Sequence, residues 1–215
     1  MAEGQLPQAA WRDDPALLRL LDVLDGADGA TRAVGGVVRD TIAGMPIADI
    51  DLATRLPPEE VVRRLDAAAI KSVPTGIAHG TVTAIIASRP YEITTLRRDV
   101  STDGRRATVA FTDDWLEDAA RRDFTINALY ADPLSGAVFD PTGGLADLAA
   151  GRVRFIGEAG QRIDEDHLRI LRYFRFLARF GALPPDEAAY GACKANASKL
   201  MALSRERIAD EVLKL

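Results

Sequence analysis

The 215-residue chain has one cysteine, Cys193, and two histidines, His79 and His167. A single cysteine excludes a disulfide framework and any cysteine-rich zinc site, and it suits a reducing cytoplasm. Two histidines far apart argue against the clustered ligands of a metal-dependent phosphohydrolase. No serine–histidine–acid arrangement is visible, and no lysine follows the glycines at 35 and 36, so there is no P-loop. No apolar run approaches the roughly 18 residues that mark a membrane-spanning helix. The N-terminus, MAEGQLPQAAWRDDP, has neither the basic start nor the apolar run of a secretory signal.

What is present is an ordinary globular composition, 47% hydrophobic and 27% charged, long enough for one large domain or two small ones. The net charge of -5 argues against a general nucleic-acid coat protein. The charge is uneven, however. Residues 152–215 carry 12 Lys/Arg against 9 Asp/Glu, whereas the first 151 carry 15 against 23. An anionic partner is therefore expected against the C-terminal part.

Helical spacing over 14–27, with Asp14 as N-cap and Pro15 at the first position, predicts an N-terminal helix within residues 1–29. ATRAV reads as a strand ending in Gly35-Gly36, and VVRDTIAG as a short helix stopped by Gly44. ADIDLAT reads as a strand whose period of two puts Asp49 and Asp51 on one face. PPEEVVRRLDAA is a predicted helix, and AIKSV, HGTVTAII and YEITTLRR are three strands. Residues 99–113 are polar and aperiodic and read as a flexible surface loop. WLEDAARR reads as a helix, INALYAD and GAVFD as strands. From about 158 the pattern turns helical, with EDHLRILRYFRFLARFG, PDEAAYGACKANASK and SRERIADEVLKL. The fold class is α+β: a mixed-sheet head over 30–157, then a helical part over 158–215. The last pattern, Ile208, Val212, Leu213 and Leu215, has no C-cap, and the helix is expected to continue or to pack on something further.

Two carboxylates two residues apart on a strand repel each other unless a cation joins them. Mg²⁺ does this, since it takes carboxylate oxygens together with substrate phosphates. Asp49 and Asp51 are thus candidate metal ligands, the alternative being an exposed strand face. The upstream Gly35-Gly36 lets backbone N–H groups approach a phosphate closely, and Arg39 can reach the same group. Glu92, on a predicted neighbouring strand, is the candidate third carboxylate. In EDHLRILRYFR, positions 166, 169 and 173 share a helical stripe, so Asp166 and Arg169 can point at one object. The alternative is a salt-laced helix burying Leu168, Leu171 and Phe174.

GGVVRDTIAGMPIADIDLAT, RRDFTINALYAD (121–132), DPTGGLADLAAGRVRFIG (140–157) and EDHLRILRYFRF (165–176) occur in the order found in one family. The chain resembles the class II CCA-adding enzymes and poly(A) polymerases, within the polymerase-β-like nucleotidyltransferases, from about residue 30 to 215. The resemblance implies a small mixed sheet carrying the metal site, a helical neck that reads the nucleotide, and further helical domains that hold tRNA. It implies that Asp49 and Asp51 hold two Mg²⁺ ions, with Glu92 completing the catalytic set. Gly35, Gly36, Arg39, Arg122 and Asp123 would then face the triphosphate and sugar, with Asn127 in support. Asp166 and Arg169 would read the base, and Arg172 and Arg175 would hold the triphosphate and the reader. The partners implied are CTP, ATP and the 3′ end of tRNA. VPTGIAHGTVTA lacks the basic cluster of the poly(A) polymerases, which favours CCA addition. The full-length loop with Asp103-Gly104-Arg105 favours all three additions over CC alone, and an A-only enzyme stays open. Without its helical domains the chain could instead be a nucleotide- or tRNA-binding module.

Overall fold

The computed structural model describes residues 4–102 and 107–214. Its strands are β1 (Gly4–Gln5), β2 (Thr31–Val34), β3 (Asp51–Thr54), β4 (Lys71–Gly76), β5 (Thr81–Ile86), β6 (Arg89–Thr95), β7 (Arg97–Thr102), β8 (Ala107–Phe111), β9 (Tyr130–Ala131) and β10 (Ala137–Phe139). Its helices are α1 (Pro15–Val23), α2 (Gly36–Ile42), α3 (Pro58–Ala67), α4 (Trp115–Ala120), α5 (Gly144–Ala149), α6 (Ala159–Glu165), α7 (Arg169–Phe180), α8 (Glu187–Ala195) and α9 (Arg205–Val212). Eight strands form one mixed sheet in the order β1-β10-β9-β2-β3-β6-β5-β4. Among the described residues only β3 and β6 pair in parallel, and they align Asp51 with Glu92. The α+β class expected from the sequence is what the chain adopts.

Period-two alternation sorts the sheet into two faces. Ile50 and Leu52 enter a core with Val82, Tyr91 and Ile93, covered by Leu17, Leu20 and Leu21 of α1 and Val61 and Leu65 of α3. Each such fully buried leucine contributes roughly 1.5–3 kcal/mol. Ala53, one residue on from Leu52, turns to the opposite face with Val34, Leu96 and Tyr130, under Trp115 and Ala119 of α4. Trp115 meets Tyr130 edge-on, ring centroids 5.1 Å apart. Helix α1 starts as its sequence predicts: the Asp14 carboxylate accepts from the Ala16 N–H at 2.9 Å, with Pro15 in the first turn.

Beyond the sheet, Ile163, Ile170, Tyr173 and Phe176 build a separate core that draws in Phe124 and Phe155. The Phe124 ring sits 4.8 Å from Phe155 and 5.4 Å from Phe176, so the helices seat directly on the segment that follows α4. The buried face of α7 is Ile170, Tyr173 and Phe176. Phe174 is exposed, and Leu168 and Leu171 are half-buried.

Several local expectations are corrected. Residues 1–29 hold more than a helix, because β1 adds to the sheet edge beside β10. The presumed loop of 99–113 is mostly the hairpin β7–β8, with Arg97 opposite Phe111 and a bulge between Asp99 and Ser101. A two-stranded ribbon off the main sheet needs backbone pairing rather than an apolar face, so its sequence shows no alternation. Asp103-Gly104-Arg105 lie outside the described residues. INALYAD is only partly strand: Thr125–Asn127 is a 3-10 turn leading into β9. The helix expected from 165 breaks at Asp166, which is extended (φ -155°) between α6 and α7. Its carboxylate accepts the Leu168 N–H at 3.1 Å, the competition with the helix that aspartate offers at a helix start. Among the described residues no helix is long and apolar enough to cross a membrane.

Candidate active site

The sheet, the end of α4 and the start of α7 enclose an open cavity of about 670 Å³. Ten of the twelve site residues expected from the sequence line it. Asp51 and Glu92 come from the parallel pair of strands. Gly35 and Gly36 come from the β2–α2 turn, with Arg39 from α2. Arg122 and Asp123 follow α4, while Asp166, Arg169 and Arg172 come from the helical side. Gly35 has φ +67°, so a side chain there would be strained, and a Cβ would sit 3.4 Å from the Asn127 carbonyl oxygen.

Asp49 and Arg175 are the two that do not line the cavity. β3 begins at Asp51, so the ladder that would align Asp49 with it has not yet started. Asp49 is exposed and lines a neighbouring depression with Trp11, Ile47 and Arg89. Its charge still reaches Asp51, whose pKa it helps to raise. Among the described residues no three or more His, Cys, Asp or Glu side chains converge as a ready metal cage. Arg175 points away from the cavity, because three residues on from Arg172 its side chain turns toward α9. There its Nε donates to the buried Glu211 at 2.5 Å.

The cationic side of the cavity is tightly organised around Asp118, which is 1% exposed. Its Oδ1 accepts from Arg121 at 2.7 Å, and its Oδ2 accepts from Arg122 at 3.0 Å and from the Tyr130 hydroxyl at 2.7 Å. Burial opposes the Asp118 anion, yet Arg122 and Arg121 outweigh it and hold the carboxyl far below the usual range. Burial likewise opposes the Arg122 cation, and Tyr130 and Asp118 hold it above its ordinary value.

A second network ties the helical side to the head. Arg172 Nε donates to Asp123 at 2.7 Å, and Asn127 donates to the other Asp123 oxygen at 3.0 Å. Arg39 in turn donates to the Asn127 side-chain oxygen and to Asp40, and lies 5.0 Å from the Phe176 ring centroid. Despite burial, Arg172 and Asn127 keep the Asp123 carboxyl below its ordinary value. Burial pushes the Arg39 guanidinium below its own, with Asp40 opposing.

Asp166 and Arg169 share the cavity without sharing a helical stripe. Arg207 of α9 donates to both Asp166 oxygens at 3.0 Å. Arg169 donates to Glu165 at 2.7 Å and to the Arg121 carbonyl at 3.3 Å. A carboxylate and a guanidinium, each fixed by its own protein partners, thus line the same cavity.

Asp51 stands in contrast. Burial, the Glu92 carboxylate and the Asp49 carboxylate together raise its pKa to about 6, and the opposing pull of Arg122 is outweighed. Hard oxygens carrying excess negative charge in a half-buried site fit a divalent cation.

The chemistry-bearing residues that the sequence pattern does not single out are Asp118, Tyr130, Arg97 and Arg207. Asp118 alone carried a local signal, lying three and four residues before Arg121 and Arg122 on a helix. The others meet their partners only through tertiary structure.

With this geometry in place, comparison with known proteins is decisive. A family model described as the poly A polymerase head domain matches residues 31–154. The chain belongs to that family. It is 42% identical over 202 residues to the mitochondrial CCA tRNA nucleotidyltransferase 1 of Danio rerio, covering 93% of this chain and 47% of the relative. It matches the structure of the Bacillus stearothermophilus CCA-adding enzyme in complex with CTP at a TM-score of 0.80 and 33% identity, covering 94% of this chain and 48% of that one. It also matches a tRNA complex of the Thermotoga maritima CCA-adding enzyme at a TM-score of 0.73 and 25% identity, covering 98% and 50%. The chain spans about half the length of these relatives.

Proposed function

We propose that the chain carries the catalytic and nucleotide-reading part of an enzyme that adds CCA to the 3′ end of tRNA from CTP and ATP, without a nucleic-acid template. The observation that carries this reading is the placement of the Asp166–Arg169 pair and the Asp51–Glu92 pair on one cavity. The relatives named CCA-adding, two of them solved with CTP or tRNA, support the same assignment.

The base-reading logic follows from hydrogen-bond chemistry. Cytosine and adenine both present an exocyclic amine beside a ring-nitrogen acceptor. Asp166 accepts from the amine and Arg169 donates to the ring nitrogen. Uracil and guanine put a carbonyl where the amine belongs, which leaves two acceptors facing each other in a desolvated site. Arg207 holds Asp166 oriented for this task. The ribose and triphosphate then extend toward Asp123, Arg122 and the Gly35-Gly36 turn, where guanidinium and backbone N–H groups receive phosphate oxygens. A primer 3′-hydroxyl approaches the α-phosphorus from the side of Glu92, and pyrophosphate leaves from the other. Asp51, with Glu92 beside it and Asp49 turned in from the adjoining depression, would hold Mg²⁺, whose chemistry is to acidify the attacking hydroxyl and to neutralise the phosphates.

The cytoplasm is the proposed compartment. Cys193, whose thiol burial pushes up to about 12, is inert enough for a reducing one. Fluorescent tagging of the chain in its host cell tests this.

The test of function is incubation with Mg²⁺, each labelled nucleoside triphosphate in turn, and tRNA ending before, within or after CCA, read on a sequencing gel. Incorporation of C and then A, stopping after three and abolished by Asp49→Ala, is expected. Long A tails would make it a poly(A) polymerase, and CC alone a partial enzyme. CTP and ATP binding without incorporation would make this chain a nucleotide-binding half.

A further inference from the structure

On the proposed reading, the cavity has more cation than an incoming nucleotide uses. Arg97, at the start of β7, and Arg121, at the end of α4, line it together with Arg122. Two of these guanidinium groups, those of Arg121 and Arg122, meet on one buried carboxylate, Asp118, which also accepts the Arg97 backbone N–H at 3.3 Å. Arg121 Nε also donates to the Arg97 carbonyl at 3.0 Å. Arg97 Nη1 donates to the His79 carbonyl, but its Nε is buried with no hydrogen-bond partner. Burial, with Arg121 beside it, pushes the Arg97 guanidinium down to about 10. A charge left this poorly compensated is costly unless an anion arrives.

Position in the sheet says which anion. The order β2-β3-β6-β5 puts the glycine turn after β2 on one side of Asp51 and places β6 and β5 on the other. Arg122 lies toward the glycine side, since a Cβ on Gly35 would sit 3.7 Å from its Nη1. Arg97 follows β6, beyond Glu92. Thr81 and Thr94, whose hydroxyls are 3.2 Å apart, line the same cavity from β5 and β6. In-line displacement requires the attacking and leaving oxygens on opposite sides of the reacting phosphorus. If the triphosphate and its leaving group occupy the glycine side, the Arg97 side belongs to the attacking strand.

We propose that Arg97, with Arg121 and the Thr81 and Thr94 hydroxyls, forms a subsite for a backbone phosphodiester near the 3′ end of the RNA being extended. The subsite is separate from that of the incoming nucleotide. Asp118 apportions the two, with one oxygen on Arg121 for the RNA and the other on Arg122 for the triphosphate.

The test is binding by the whole chain of two fluorescent ligands, measured separately: CTP, and a short single-stranded RNA ending in CC. Arg97→Gln should weaken RNA binding roughly ten- to a hundred-fold, the size of one charge-assisted contact, and leave CTP binding within two-fold. RNA carrying neutral methylphosphonate linkages at its last two positions should lose the same factor on the wild-type chain and nothing further on Arg97→Gln. Arg97→Lys should recover part of the affinity, and a melting curve for each variant separates loss of binding from loss of fold. Weakened CTP binding with unchanged RNA binding would overturn the proposal and assign Arg97 to the triphosphate. Equal RNA binding by wild type and variant, or no RNA binding by either, would also overturn it. Failure of wild-type CTP binding would instead count against the proposed function itself.

Discussion

Asp51 lines the cavity and Asp118 is buried behind the Arg121 and Arg122 that line it, yet the electrostatic positions of these two carboxylates are opposite. Asp118 is surrounded by donors, with Arg121, Arg122 and the Tyr130 hydroxyl on its two oxygens, and its acidity lies far on the strong side. Asp51 faces Glu92 in register and Asp49 close by, and its acidity is weakened to about 6. Burial alone would push both in the same direction, upward, so the neighbouring charges decide. A finished ion pair stabilises the fold. An unfinished one costs the folded chain something and leaves a place for a cation, the trade often found between stability and activity.

The sharpest way to break this contrast is to remove the finished side. Asp118→Ala leaves Arg121 and Arg122 beside each other without a counter-charge and the Tyr130 hydroxyl without its acceptor. It should cost about 3–5 kcal/mol in urea unfolding at pH 7. Because the Asp118 pKa is depressed, its contribution is present above the ordinary carboxylate value and is lost as pH falls. The difference between wild type and Asp118→Asn should therefore narrow below pH ~4. A loss that stays constant down to pH 3 would mean that packing, and not charge, is at stake.

Asp51→Asn should do the reverse. A carboxyl that ionises at 3.8 when unfolded and at about 6 when folded favours the folded state while protonated, and that contribution is lost as pH rises through 6. In metal-free buffer above pH 7 the variant should be more stable than wild type by roughly 1–3 kcal/mol, with the gap closing below pH 4. The same variant should not incorporate nucleotide. Equal stability at all pH values would show that Asp51 is already compensated.

The smallest expected effect lies at the half-exposed Asp166–Arg207 pair. Arg207→Ala should cost under about 1 kcal/mol in stability, yet free Asp166 to move. Discrimination of CTP and ATP over UTP and GTP, measured as ratios of kcat/KM, should fall several-fold while the melting point hardly changes. Unchanged ratios would show that Asp166 is held by its own backbone contacts.

The sequence made legible whatever is encoded by near neighbours. The Asp14 cap, the alternation of Ile50, Asp51 and Leu52, the Gly35-Gly36 turn from strand to helix, and a carboxylate at 92 on an adjacent strand all have local signatures, and all appear in the structure. Contacts between distant residues were not legible. Asp166 and Arg169 look like one helical stripe, but the Asp166 carboxylate captures the Leu168 N–H and the helix restarts after it. Arg175 looks equivalent to Arg172 until Glu211 of α9 claims it. Asp49 looks like a twin of Asp51 until the ladder proves to begin at Asp51. The β7–β8 hairpin was hidden because pairing off the main sheet imposes no apolar rhythm.

The most direct test of the difference between the two carboxylates is a titration of the Asp51 side-chain carbon in a ¹³C-carboxyl-labelled chain. Assignment would be by comparison with Asp51→Asn, with and without Mg²⁺. The structure predicts a midpoint near pH 6 in metal-free buffer, shifting well down when Mg²⁺ and CTP are added. A midpoint near 4 that ignores Mg²⁺ would mean that Asp51 is already neutralised within the fold, and the metal-binding reading of this cavity would fall with it.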